Sequence, residues 1–135
     1  MALISWTDKF SVSVGEIDRQ HGTLIDMVNE LHDAMRQMKS KEVIEPILDR
    51  LTNYTLTHFS TEEKYMTKFN YAGYDAHKAE HESFVAKVSE FRKDYENGRI
   101  TLTMTLMNFL KDWLVKHIQG TDMKYRECFN ENGLK

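Results

Sequence analysis

Five of the six histidines in this 135-residue chain stand at spacings that suit metal binding. They occur in HFSTE at 58–62, HKAEH at 77–81 and HIQGTD at 117–122, with His21 as a further single donor. Residues four apart on a helix are rotated by about 40°, so the outer residues of HFSTE and HKAEH share a face. Imidazole nitrogens and carboxylate oxygens from several helices make up a metal site inside a helix bundle. The pattern therefore indicates such a site.

The stretch HIQGTD has a different spacing, because His117 and Asp122 are five residues apart. On a regular helix this separation is about 140° of rotation, which directs the two side chains apart. A widened π-type turn near Gly120, or a break in the helix there, would bring them back to one site, and such turns often mark functional sites. We favour the π-type turn, because the following residues TDMKYRECF can continue as helix.

Apolar residues at three- and four-residue steps predict the four helices that carry these side chains. The first spans Ile17–Met38, the second follows the polar piece KSKE and runs to about Phe69, the third runs from about Ala76 to ENGR, and the fourth starts at Ile100 or Thr101. The only proline, Pro46, is expected in the first turn of the second helix. Asp75 is expected to cap the third.

The predicted fold is all-α: an up-down-up-down antiparallel four-helix bundle with an N-terminal arm and a short C-terminal helical tail. No segment alternates with period two as a strand would, and short connections between helices place them antiparallel. The arm is residues 1–16, whose apolar side chains include Trp6, Phe10, Val12 and Val14. The tail reaches Phe129. A chain of this length is expected to form one domain, residues 1–135.

Composition excludes several classes of partner. The 18 basic and 21 acidic residues are mixed along the chain, with no basic block that could follow a phosphate backbone, so we expect no nucleic acid. No apolar run approaches the length of a membrane span, and the start MALISWTDKF does not resemble an export signal. We expect a cytoplasmic protein without membrane insertion. The single cysteine, Cys128, excludes an internal disulfide.

Simpler interpretations apply to some of these residues. His32 lies eleven residues after His21, about 16 Å along the helix, which is too far to share its site. It is best explained as a surface or satisfied core histidine. The eight methionines are best explained as core fillers. Burying the other five histidines with two carboxylates and no metal would leave unpaired polar groups in the core, which is costly.

The ordered set IDRQH, HFSTE, HKAEH and HIQGTD, spread over the whole chain, resembles the hemerythrin family, and specifically its single-domain bacterial members. The resemblance implies a non-haem site of two iron ions with a bridging oxo or hydroxo group. One iron would be bound by His77, His81 and His117, the other by His21 and His58, and Glu62 and Asp122 would each span both. Counting donors leaves one open position on the second iron, where dioxygen would bind reversibly.

The resemblance also implies an apolar oxygen pocket, although the same residues suit an ordinary core. Its candidates are Leu24, Phe59, Trp113, Leu114 and Ile118. Five neutral imidazoles favour ferrous iron, and the chain lacks the E-x-x-H motif of di-iron oxygenases, so we expect a binding protein and not an enzyme.

The predicted function is dioxygen storage, delivery or buffering, with an oxygen-consuming enzyme as a candidate partner. The alternatives are an oxygen or redox sensor and an enzyme that scavenges peroxide or nitric oxide. Asp18 and Tyr54 are candidates to accept hydrogen bonds from the ligating histidines.

Overall fold

The computed structural model describes residues 3–97 and 104–135, and within these ranges it contains helices and turns but no strand. The four long helices are α1 (Gly15–Arg36), α2 (Lys41–Lys68), α3 (Tyr74–Glu96) and α4 (Met104–Lys116). A 3₁₀ turn at Asp8–Phe10 precedes them. After α4 the chain continues through a π-helical turn (His117–Thr121), a 3₁₀ turn (Asp122–Tyr125) and the short helix α5 (Arg126–Glu131).

The helices pack as the predicted antiparallel bundle. Helix α1 packs against α2 and α4, and α2 packs against α3. The N-terminal arm lies along the bundle, since Phe10, Val12 and Val14 are buried and the side chain of Asn29 bonds both backbone groups of Ile4, at 2.9 and 2.8 Å. Trp6 stays 41% exposed and stacks on Phe10. No helix in the described ranges is both long and apolar enough to cross a membrane.

Several helix ends differ from the predicted ones. Helix α2 begins at Lys41, so Pro46 lies at its sixth position and not in its first turn, and its missing N–H leaves one helical hydrogen bond unmade. Helix α3 begins at Tyr74 with Gly73 at the N-cap. Asp75 therefore does not cap the helix, although its charge suits the first turn. The predicted start of the fourth helix lies outside the described residues.

A polar layer crosses the bundle between two apolar clusters. Along α1, the chain passes from Ile17 in one cluster through His21 to Leu24 in the other. Helix α2 runs in the reverse direction, from Phe59 through Glu62 to Met66. The segment after α4 also runs in reverse, from Ile118 through Asp122 to Tyr125, as expected of neighbours antiparallel to α1. All the buried polar side chains of the described residues except Thr55 belong to this layer.

Candidate metal centre

The structure brings together all seven residues that the resemblance implies as metal ligands. Each is at most 3% exposed, and together they are His21, His58, Glu62, His77, His81, His117 and Asp122. They form two overlapping groups, and within each group one donor atom per residue lies within 4.8 Å of the others. The three-histidine group is His77, His81 and His117 with both carboxylates; the two-histidine group is His21 and His58 with the same carboxylates.

Asp122 faces both groups. Its Oδ2 lies 3.0 Å from Nε2 of His21, while its Oδ1 lies 2.9 Å from Nε2 of His77 and 3.0 Å from Nε2 of His117. The two oxygens of one carboxylate thus point to different sets of imidazoles. This arrangement suits a carboxylate that bridges two cations.

Glu62 has the same double role. Its Oε1 lies 3.2 Å from Nε2 of His58 and 3.3 Å from Nε2 of His81, so one oxygen contacts both groups. Its Oε2 lies 3.7 Å from Nε2 of His21. The Nε2 atoms of His81 and His117 are only 3.1 Å apart, as expected of two nitrogens directed at one cation.

The π-helical turn at His117–Thr121 explains how a five-residue spacing serves one site. It is the distortion predicted from HIQGTD, and it places the His117 ring and the Asp122 carboxylate 3.0 Å apart. Gly120 itself is not what requires the turn. It does not have a positive φ, and no neighbouring atom lies within 4 Å of where a Cβ would stand.

Three of the histidines are hydrogen-bonded through their outer ring nitrogen, Nδ1. The partner of His58 is the amide oxygen of Gln20 at 2.6 Å. The partners of His81 and His117 are the carboxylates of Glu63 and Glu80, both at 2.9 Å. Such contacts fix the ring orientation and direct the lone pair of Nε2 into the site.

Neither candidate acceptor, Asp18 or Tyr54, bonds a ligating histidine within the described residues. Asp18 accepts hydrogen bonds from the Ser11 hydroxyl at 2.6 Å and the Val12 N–H at 2.8 Å, and so anchors the arm instead of a histidine. Tyr54 packs against the apolar core, and no hydrogen bond joins it to a histidine within the described residues. The true partners all lie within or beside the histidine motifs: Gln20 precedes His21 in IDRQH, Glu63 follows HFSTE, and Glu80 lies inside HKAEH. Only this proximity could have suggested them.

Tyr125 is a further residue that sequence reasoning missed. It is fully buried, and its hydroxyl donates to Oε2 of Glu62 at 2.5 Å. Its ring stacks on His77 and on Phe129. Burial and the charges of Asp122 and Glu62 raise its pKa well above the ordinary value, so it remains a hydrogen-bond donor to the carboxylate.

The five predicted pocket residues belong to the apolar side of the layer. Leu24, Phe59, Leu114 and Ile118 are at most 4% exposed. The Phe59 ring lies parallel to that of His81 at 3.7 Å between centroids. Trp113, partly buried, stacks on His117 at 4.2 Å. The two aromatic residues therefore cover imidazoles of the three-histidine group.

Burial and the two carboxylates shift the pKa values of several groups in the layer. Burial lowers the pKa of His21, but the carboxylates of Asp122 and Glu62 outweigh this and raise it to about 10. The pKa of His117 is also raised, by Asp122 against the effect of burial. Burial lowers the pKa of His58. Contacts with His117 and His21 hold the pKa of Asp122 below its usual range despite burial and the nearby Glu62. Because metal binding requires neutral imidazole, a bound cation would displace the proton that the raised pKa of His21 favours.

The donor atoms are arranged to bind metal ions and not to form hydrogen bonds with one another. Several of these buried atoms lie close to one another but make no hydrogen bond with acceptable geometry: Nε2 of His21 and His77, Oε1 of Glu62, and both carboxylate oxygens of Asp122. An unsatisfied buried polar atom costs about 1–3 kcal/mol, and more if charged. These atoms converge on one space, where ligation of cations would satisfy them.

An all-α bundle with five histidines and two carboxylates in one buried layer defines a helical cation-binding protein. The family model described as hemerythrin HHE cation binding domain matches residues 12–128, and the chain belongs to the hemerythrin family.

Individual relatives match over nearly the whole chain. The bacteriohemerythrin of Methylococcus capsulatus is 39% identical over 131 residues, covering 96% of this chain and 99% of that protein. The bacteriohemerythrin of Stenotrophomonas maltophilia is 36% identical and covers 94% of this chain, which spans 82% of that protein. A crystal structure of wild-type hemerythrin superimposes with a TM-score of 0.89 at 39% identity, covering 94% of this chain and 98% of the other. The predicted family and fold class are confirmed.

Proposed function

We propose that this protein binds dioxygen reversibly at a centre of two iron ions joined by an oxo or hydroxo bridge, and so stores, delivers or buffers oxygen. The observation that carries the proposal is the pair of ligand groups that share Glu62 and Asp122. His77, His81 and His117 would hold one iron, and His21 and His58 the other. Bound ferrous iron would supply the electrons that hold dioxygen and that return to the metal when it leaves.

The ligand set supports binding in preference to oxidation chemistry. Five imidazoles are neutral donors, and two carboxylates are fewer anionic donors than the carboxylate-rich di-iron proteins have. Gln20, Glu63 and Glu80 hold three imidazole rings with Nε2 directed into the site. The Tyr125 hydroxyl orients the Glu62 carboxylate.

The apolar residues beside the layer would exclude water from bound oxygen. Leu24, Phe59, Leu114 and Ile118 are buried and offer no polar atom that could donate a proton. Trp113 lies against His117. Apolar side chains that exclude water prevent side reactions at a reactive centre and keep protons away from it. We therefore assign these five residues to the oxygen pocket. A cytoplasmic location and an oxygen-consuming partner enzyme stay predictions from the sequence.

Repeated oxygenation of the reduced protein tests the proposal. The anaerobically reduced protein should be nearly colourless, gain a visible charge-transfer band when oxygen is added, and lose it under argon without added reductant. Several complete cycles are the expected result. His32→Ala should behave as the wild type, because His32 lies outside both ligand groups.

The same experiment separates the enzyme alternative from the carrier. A peroxide or nitric-oxide scavenger has no need to return oxygen, so its site would end as ferric iron that argon does not restore. Oxygen consumption measured with an electrode, together with failure after one exposure, would overturn the carrier proposal. A protein that gains no visible band at all would overturn the di-iron proposal itself.

A further inference from the structure

The π-helical turn has one carboxylate bound to both of its ends. Glu80 lies on α3 between the ligands His77 and His81, and reaches across to the chain after α4. Its Oε1 accepts from Nδ1 of His117 at 2.9 Å and from the Thr121 hydroxyl at 2.8 Å, while its Oε2 lies 3.0 Å from the same hydroxyl. His117 and Thr121 are the first and last residues of the turn.

Gly120 does not account for the shape of the turn. The glycine at position 120 has neither a positive φ nor a close neighbour that would exclude a side chain. A π turn holds one more residue than the α-helical pattern accommodates and is rare for that reason. An external anchor at both ends would offset this cost, and Glu80 contacts both ends.

The position of the turn matters because Asp122 follows Thr121 directly. A regular helix would direct Asp122 about 140° away from His117, whereas here their Oδ1 and Nε2 atoms are 3.0 Å apart. The bond from Nδ1 of His117 to Glu80 also leaves the lone pair of Nε2 directed into the site.

We propose that Glu80 is the positioning residue that holds the π turn in register, so that His117 and Asp122 reach the same metal centre. The inference rests on the proposed function only in treating His117 and Asp122 as metal ligands. An acceptor that only orients a ligating imidazole contacts the ring alone. Glu80 also accepts from the hydroxyl of Thr121, and so it contacts the far end of the turn as well.

The test uses the full chain loaded with zinc(II), which is silent in redox chemistry, and follows zinc affinity and NMR spectra. In Glu80→Ala we expect affinity to fall about 10- to 100-fold, as for other outer partners of metal-binding histidines. The amide signals of residues 118–122 and the ring nitrogens of His117 should shift. Glu80→Gln should restore the amide signals of the turn and part of the affinity, because one amide oxygen can take the place of Oε1, which accepts both bonds, but without its charge.

Two control variants separate this role from general effects. Glu82→Ala removes an exposed carboxylate from the same helix and should change neither readout. Glu63→Ala removes the partner of His81 and should lower zinc affinity while leaving the amide signals of residues 118–122 in place. Thr121→Val removes only the hydroxyl anchor and should shift the turn amides while keeping the His117 ring signal.

Any of three results would overturn the proposal. The turn amides in Glu80→Ala could match those of Glu82→Ala, the same amides could shift equally in Glu63→Ala, or they could stay unshifted in Thr121→Val. If Glu80→Ala does not fold, the turn amides of Thr121→Val and Glu80→Gln test the proposal in its place. None of these readouts involves oxygen. A protein that fails to bind oxygen reversibly while the turn behaves as expected would remove the proposed function and leave the role of Glu80 intact.

Discussion

His81 and His117, in the three-histidine group, each have a carboxylate on the outer ring nitrogen, whereas His58, in the two-histidine group, has the neutral amide of Gln20. Both groups use the same two carboxylates, Glu62 and Asp122, as donors facing the site. The groups therefore differ in two ways: in the number of imidazoles, and in the charge of the acceptor bonded to the outer nitrogen of an imidazole.

This difference predicts unequal metal binding. A carboxylate that accepts from Nδ1 raises the basicity of Nε2, so a carboxylate-backed imidazole is the stronger donor. The three-histidine group has more donors and stronger ones, and we expect it to hold its cation more tightly. The two-histidine group has fewer donors, which is consistent with the open position for dioxygen that we propose there.

Removal of a shared carboxylate should have the largest effect, because it damages both groups at once. Asp122→Ala removes contacts to His21, His77 and His117 together, so iron content should fall from about two ions per chain to nearly none. Elemental analysis after purification measures this. His32→Ala should keep both ions. A variant that retains one full ion per chain would show that Asp122 serves only one group.

The outer hydrogen bonds give a smaller and more selective prediction. Glu63→Ala should weaken zinc binding at the three-histidine group by about 10- to 100-fold, because His81 loses a carboxylate partner. Gln20→Ala should weaken binding at the other group by less than about tenfold, since His58 loses only a neutral acceptor. Competition with a chelator, analysed as two binding steps, measures both. Equal losses would contradict the proposed asymmetry.

The pocket wall gives the smallest expected effect. Leu114→Ala should keep its metal and bind oxygen, but turn ferric a few-fold faster in air, because the smaller side chain admits water. Leu48→Ala is the matched control, since Leu48 is also fully buried in the same apolar cluster but is not among the pocket residues. Both should lose about 2–5 kcal/mol of stability. Equal autoxidation rates, followed by absorption, would show that loosened packing and not the pocket is responsible.

Helix periodicity and residue type were enough to predict much of this molecule. The apolar stripe from Ile17 onward and the four-residue pairs of HFSTE and HKAEH are local features, and a helix determines which of its residues share a face. The five-residue step from His117 to Asp122 predicted the π turn for the same reason. The family resemblance named seven candidate ligands, and the structure places all of them in one layer; their binding of iron stays a prediction.

The outer partners could be decided only by the tertiary structure. Rotation along α2 places Glu63 about 100° from Glu62 and so on a different face of the helix, and Glu63 reaches Nδ1 of His81 on the neighbouring helix. Glu80 and Tyr125 likewise contact residues on other elements. Sequence determines which face of its own helix a side chain occupies. The residue that it meets depends on how far the next helix is rotated, shifted and tilted against it, which only packing of the whole bundle decides.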